Sequence, residues 1–147
     1  MGIRMIQFTP FTFNAHGKWI KNTIQCVFCD DTNGIVALRD GKPVAACICD
    51  NWTDTSVNVH FVIEDKMVLR HGLFEEFAYW VYITCGRDLM IGNVAADNVK
   101  ALKLDKHIGF QELARIPDAY KQGVDVVLLT LHRKDCKYLP EELREAA

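Results

Sequence analysis

The side chains able to do chemistry in this 147-residue chain are few and fall into small groups. His60 sits in an alternating run, and Glu64 follows four residues later. Imidazole titrates near neutral pH, so a histidine held beside a substrate can take up a proton as a general base, and a carboxylate can do the same. The plainer reading of these residues is an exposed strand histidine and a pair of loop charges, Glu64 and Asp65. Lys100, Lys103 and Lys106 recur every three residues, on one edge of a helix, where they face either an anion or solvent. Two cysteine pairs, Cys26 with Cys29 and Cys47 with Cys49, supply the four thiolates that a zinc ion needs. The second pair alternates along a strand with Ile48 opposite, and no glycine-rich knuckle follows either pair, so packed thiols and no metal are expected.

The elements that must position these groups can be read from apolar spacing. Residues 3–8 alternate weakly and end at Pro10, as a first strand would. Residues 12–23, with Trp19 and Ile20, read as a weak helix interrupted by Gly17. Apolar runs at 35–38 and 43–49 flank Asp40-Gly41, a dipeptide suited to a two-residue hairpin turn. After a turn at 51–55, Val57, Val59, Phe61 and Ile63 alternate as the third strand of an antiparallel meander.

From 67 to 84 the spacing of Leu69, Leu73, Phe77, Trp80, Val81 and Thr84 predicts one helix. Residues 89–93 follow as a strand reached by that crossover, parallel to the strand before the helix. A second helix over 98–107 is capped by Asp97 or Asn98 and stopped by Gly109. Strands at 110–116 and 124–132 come next, and the chain from Lys134 onward reads as a short polar helix. The expectation is an α/β protein of one domain over 1–133, with a polar C-terminal tail over 134–147. Its sheet is mixed, mostly antiparallel, of about six or seven strands flanked by helices.

Bulk composition narrows the partners. Against 17 Lys and Arg stand 19 Asp and Glu, and a net charge of −2 offers no broad attraction for nucleic acid or an anionic membrane surface. No apolar run approaches the roughly 18 residues that span a bilayer, and residues 1–9 lack the charged-then-apolar order of a secretory signal. A soluble, cytoplasmic protein is expected. Its six cysteines, among them Cys47, Cys49 and Cys85 in apolar segments, are then free thiols.

The stretch N-V-K-A-L-K-L-D-K-H-I-G-F resembles the signature of the GNAT N-acetyltransferase superfamily, in which an Asn opens a helix, an Ala follows three residues on and a Gly-Phe pair closes it. Here these are Asn98, Ala101, and Gly109 with Phe110. The Asp40-Gly41 hairpin and the strands at 57–63 and 124–131 are similar to the family's other strands, so the resemblance covers about residues 3–131. It implies a GNAT-like acyl-CoA N-acyltransferase fold and transfer of an acetyl group from acetyl-CoA to a primary amine. Acetyl-CoA is then expected where the fourth and fifth strands part, along Phe61, Val62 and Ile63 and beside Asn93, Asn98 and Ala101. Its pyrophosphate is expected at the helix start formed by Lys66, Arg70, His71, Gly72 and Leu73, where unpaired amides and the helix dipole favour an anion.

The sequence departs from the family in two places. If Gly72 is the last residue of the phosphate loop, Arg70 stands where a glycine belongs and Met67 where an Arg or Gln belongs. Arg70 then either blocks the phosphate or supplies charge to it, and the alternative is a solvated helix start. Asp105 stands where many members carry the Tyr that protonates the departing thiolate. An ionised Asp cannot donate a proton, and its neighbours Lys103 and Lys106 speak against the burial that would keep it neutral. Tyr120 and His107 are alternative donors. These departures leave a second reading, a GNAT-fold binding or structural protein without catalysis, similar to short divergent chains of tailed phages. Edge strands near the C-terminus could pair two copies as a homodimer.

Overall fold

The computed structural model describes residues 5–23 and 29–145, so the start of the expected first strand and Cys26 of the first cysteine pair lie outside the described residues. Seven strands form one mixed sheet in the order β1-β2-β3-β4-β5-β7-β6. β1 (Ile6–Pro10), β2 (Asn33–Arg39), β3 (Lys42–Asp50) and β4 (Ser56–Ile63) run antiparallel in sequence order. Asp40 and Gly41 make the turn between β2 and β3 with φ of 52° and 81°, the positive values that a two-residue hairpin requires. β5 (Leu89–Ala95) lies parallel to β4, and β7 (Val124–His132) and β6 (Gln111–Lys121) extend the sheet antiparallel from it.

Helices cover both faces. α1 (Phe13–Thr23) is a full helix, and its Ile20 packs with Phe11, Val36, Ala46, Ile48 and Val62 on one face. The larger core lies on the other face, where alternate residues of β2 to β4, such as Ala37, Cys47 and Val59, meet Leu73, Phe77 and Val81. α4 (Val99–Ile108) adds Leu102 and Ile108 to that core. Cys47 and Cys49 point into the larger core and Ile48 into the smaller one, as strand alternation demands. Burial pushes both thiols well above the ordinary cysteine range. Among the described residues no three His, Cys, Asp or Glu side chains converge in a way that could hold a metal ion, and no helix is long and apolar enough to cross a membrane.

The single helix expected over residues 67–84 is broken. α2 (Met67–Arg70) is one turn, Gly72 takes a φ of 91°, α3 (Leu73–Tyr79) starts anew, and Trp80–Thr84 widens into a π-helix. Leu73, Phe77 and Val81 keep the expected buried side, whereas Thr84 is exposed, because the wider turn rotates the stripe away from the core. The glycine is what the break needs, since its left-handed backbone would strain a residue with a β-carbon.

The C-terminal segment also differs from the expected polar helix. It forms two 3-10 turns, Arg133–Asp135 and Glu141–Leu143. Between them Cys136 and Leu139 enter the main core, 1% and 2% exposed, and the Tyr138 ring lies 5.5 Å from that of Phe74. The packed unit therefore continues past the boundary expected at residue 133. Leu139→Ala should lower the unfolding free energy measured by denaturant titration by about 2–5 kcal/mol, through lost burial and the cavity left behind. The exposed Glu141→Ala should change it by less than about 0.5 kcal/mol.

Candidate functional site

β4 and β5 pair only at their first three residues, Ser56 to Leu89, Val57 to Met90 and Asn58 to Ile91, and then part. Beyond the fork, Phe61 anchors β4 to the helical layer. Its ring packs edge-on against Phe74, Phe77 and Phe110, with centroids 5.4, 5.8 and 6.0 Å away. The gap between the strands becomes a cleft. Its outer part, about 730 Å³, is lined by Phe61, Val62 and Ile63 of β4, by Leu69, and by Asn98, Ala101 and Leu104. Its inner part, about 400 Å³, is lined by His60, Asn93, Asp105 and Tyr120 among others. Past Asn58, β4 is paired to β3 on one side and, among the described residues, to no strand on the other. A thin extended chain lying in the cleft could therefore pair with its backbone.

α4 is set by its own caps. Asn98 Oδ1 accepts from the Ala101 amide at 3.1 Å, and Gly109 ends the helix at φ 123°. The residues that suggested the family are thus the ones that fix where α4 starts and stops. Lys66, Glu64, Lys100, Lys103 and His107 line the outer cleft, whereas Lys106 does not. Arg70, His71, Gly72 and Leu73, expected at a phosphate, border neither part of the cleft. Arg70 and His71 are exposed, and Leu73 is fully buried in the core. The break at Gly72 shortens α2 to one turn and commits the new helix start to core packing.

The start of α2 already carries a carboxylate of the chain itself. Asp65 Oδ1 accepts from the Met67 amide at 2.9 Å, while Oδ2 pairs with Arg39 at 2.7 Å. Glu75 Oε2 lies 3.8 Å from where a β-carbon on Gly72 would stand, at the start of α3. The Met67 amide at the start of α2 is thus answered internally, which disfavours a second anion on it, whereas no side chain caps the start of α3.

His60 is not a lone exposed histidine. The register of β3 and β4 sets it opposite Ile48 and on the face that carries Asp50. His60 Nε2 lies 3.1 Å from Oδ2 of Asp50, which is 5% exposed. Asp50 Oδ1 accepts in turn from Asn51 Nδ2 at 3.4 Å. An ionised carboxylate only accepts, so Nε2 carries the hydrogen in this pair, and in the neutral form of the ring the lone pair falls to Nδ1. Asp50 is not singled out by the sequence, where it falls between the strand at 43–49 and the turn at 51–55. Glu64, the other candidate base, lines only the outer cleft.

Asp105 overturns the expectation of an exposed, ionised carboxylate. α4 lays it over β5, where a β-carbon on Gly92 would stand 3.5 Å from Asp105 Oδ2. It is 6% exposed, no described residue hydrogen-bonds its carboxyl, and burial pushes its pKa up to about 7. Lys103 and Lys106 leave the helix in other directions, about 200° and 100° around its axis, and do not offset that burial. At neutral pH a large share of Asp105 is protonated and able to donate. Gly92, also not anticipated, keeps the space beneath the carboxyl clear of a side chain.

His60 and Asp105 approach from opposite faces of the sheet. His60 shares the face of Ile48 and α1, whereas Asp105 belongs to the helical layer over the larger core. A proton acceptor on one side of a cleft and a proton donor on the other can serve a transfer that both takes up and releases a proton.

No family model and no curated protein matches the sequence. Among solved structures the chain is similar to the spermidine/spermine N-acetyltransferase of Vibrio cholerae, with a TM-score of 0.71 and 11% identity over 88% of this chain and 93% of that one. That spermidine N-acetyltransferase has also been solved with CoA and spermine. The ribosomal-protein-S18-alanine N-acetyltransferase of Escherichia coli overlays with a TM-score of 0.69 and 15% identity, over 87% of this chain and 94% of that one. A GNAT-family protein of Desulfovibrio desulfuricans gives 0.71 and 11%, over 87% and 99%. The phage origin suggested by the divergent sequence finds no support among these structures. What is shared at such low identity is the path of the backbone along nearly the whole chain: this protein has the GNAT N-acyltransferase fold.

Proposed function

We propose that this protein transfers an acetyl group from acetyl-CoA to a primary amine. The observation that carries the reading is the convergence, in one cleft, of His60 oriented by Asp50 with the buried carboxyl of Asp105. Acetyl-CoA supplies an acetyl thioester, whose C–S bond breaks as the C–N bond to the amine forms. His60 Nδ1 takes the proton that the amine loses. Asp105 gives its proton to the departing sulfur and regains one from solvent. The unpaired edge of β4 along Phe61, Val62 and Ile63 holds the donor chain in line with these two groups, and Asn93, Asn98 and Ala101 border its path.

The amine reaches the cleft from the face that carries His60, where the end of α1 at Thr23 and Tyr120 form the surroundings. The structural neighbours named for their acceptors act on spermidine, spermine or an alanine of a ribosomal protein, which are all amines. The same reading goes with a soluble, cytoplasmic enzyme, and a homodimer would use the exposed edge of β6.

The second reading, a binding or structural protein without catalysis, is favoured by Asp65, whose carboxylate takes the Met67 amide at the start of α2. Calorimetric titration with acetyl-CoA, followed by thiol release across a panel of amines, separates the two. Micromolar binding with amine-dependent thiol release is the expected result. An absence of binding at millimolar acetyl-CoA would sink the enzyme and leave the binding protein.

A further inference from the structure

On the side from which the amine arrives, the inner cleft is lined by Thr23, Asn93, Ala95 and Tyr120 beside His60, none of them an acid. Asp105 is the one carboxylate among the described residues that line it, and it belongs to the opposite face of the sheet. All 19 Asp and Glu of the chain lie within the described residues, so none is left to enter the cleft from the others. Asp50 is held by His60 and Asn51. Asp118 and Asp125, on the hairpin beside Tyr120, border neither part of the cleft and accept from the amides of Gly123 and Asp118. Next to this uncharged site the sheet presents an apolar floor. Strand pairing sets Asn93 beside Leu128 and Ala95 beside Val126, and across β7 these two meet Ala114 and Ile116 of β6. The floor shares the face of His60, because Asn58 pairs with Ile91 and alternation carries that face through Asn93 and Ala95. Val126 and Leu128 are half-buried, Ile116 is 48% exposed, and all three stand apart from both cores, since α1 packs over β2 to β4.

We propose that the acceptor is a primary amine carried on an uncharged, apolar group, and that a polyamine is a poor acceptor. This rests on the acetyltransferase reading and names the substrate class of the same site. The reacting amine lies beside His60, while the group that carries it covers Ala95, Val126, Leu128 and Ile116 and removes apolar surface from water. A second ammonium at that place would have to shed its water with no carboxylate to meet it. It would instead hold its end of the chain in solvent and forfeit the apolar contact. The likeness to a spermidine/spermine acetyltransferase is one of backbone path, at 11% identity, and does not carry that acceptor over.

The test measures thiol release from acetyl-CoA by the full chain with hexylamine, with hexamethylenediamine, which adds a second amino group to the same alkyl chain, and with spermidine. The expected result is a kcat/KM for hexylamine at least roughly tenfold above that of either polyamine, counted per reactive amine. Ile116→Glu and, separately, Ala114→Glu place a carboxylate on the floor at positions that are exposed, and equal melting temperatures confirm that both variants are folded. Each should narrow the preference for hexylamine by roughly two- to fivefold, the range of a solvent-exposed charge pair. A wild-type kcat/KM with hexamethylenediamine or spermidine equal to or above that with hexylamine would overturn the inference and leave the acetyltransferase reading intact. A preference unchanged in both variants would overturn the place given to the apolar group, and with it the inference. Failure of every amine to release thiol would overturn both.

Discussion

Asp105→Asn should lower kcat by roughly 10²- to 10⁴-fold, the usual contribution of a positioned proton donor, while CoA binds as before. In the wild type, turnover that depends on the protonated acid should fall as pH rises through about 7, the value to which burial raises the Asp105 carboxyl. The variant should show only its low residual rate, without that fall. Asparagine matches the carboxyl in shape and can still donate a hydrogen bond, but it cannot give up a proton to a sulfur. A structural role alone would leave the pH profile intact.

The same residue makes a second, independent mark on stability. Its carboxyl titrates near 3.8 in the unfolded chain and near 7 in the folded one. Well below 3.8 it is protonated in both states and contributes no pH dependence. Between the two values the folded state keeps a proton that the unfolded state has lost, so each rise in pH favours unfolding, and above about 7 the loss is complete. The full loss amounts to roughly 4 kcal/mol at most, at about 1.4 kcal/mol per pKa unit. Asparagine has no charge to desolvate. Asp105→Asn should therefore melt higher than the wild type at pH 8, by a margin that shrinks as the pH falls toward 3.8. A difference in melting temperature that did not vary with pH would show that the carboxyl is not held neutral.

His60→Gln should cost roughly 10²- to 10⁴-fold in kcat/KM, since among the described residues no other base shares the inner cleft on that face. Asp50→Asn should cost less, on the order of 10- to 100-fold, because the imidazole remains and only its hydrogen bond and orientation are lost. The double variant should be no worse than His60→Gln alone, since Asp50 acts through the histidine and has nothing to orient once it is gone. Additive losses would mean that Asp50 serves the reaction by another route. Glu64→Gln, in the outer cleft, should leave the rate within a few-fold of wild type, and a loss as large as that of His60→Gln would move the base to Glu64.

The elements of this fold were readable wherever a local signal was strong. Asp40-Gly41 specifies a hairpin turn whatever surrounds it, because few other dipeptides tolerate two positive φ values. Val57, Val59, Phe61 and Ile63 give a strand with one buried face. Asn98 and Gly109 bound α4 because an amide side chain satisfies the free N–H groups at one end and a glycine turns the chain at the other. The region over residues 67–84 misled because its apolar spacing fits one helix, while Gly72 and the π-turn shift its phase by amounts that spacing cannot show. The C-terminal segment misled because its many charges conceal two anchors, Cys136 and Leu139, that the core accepts.

The candidate site divides along the same line. His60 and Asp105 were visible as residues of suitable type, but Asp105 was judged by Lys103 and Lys106, its neighbours along the chain. On a helix such neighbours point elsewhere, and what surrounds a side chain is supplied by the facing element, here β5 with Gly92. Asp50 drew no notice because its partner stands ten residues away, across a strand pairing whose register alone brings them to 3.1 Å. The sequence by itself determined the order of the elements and which side of each is apolar, since those follow from turn chemistry and periodicity. Only the tertiary structure decided that β4 and β5 part after three pairs, that Asp65 takes an amide at the start of α2, and that His60 and Asp105 border one cleft. Each of these depends on contacts between segments far apart in the chain, and local physics leaves such contacts open.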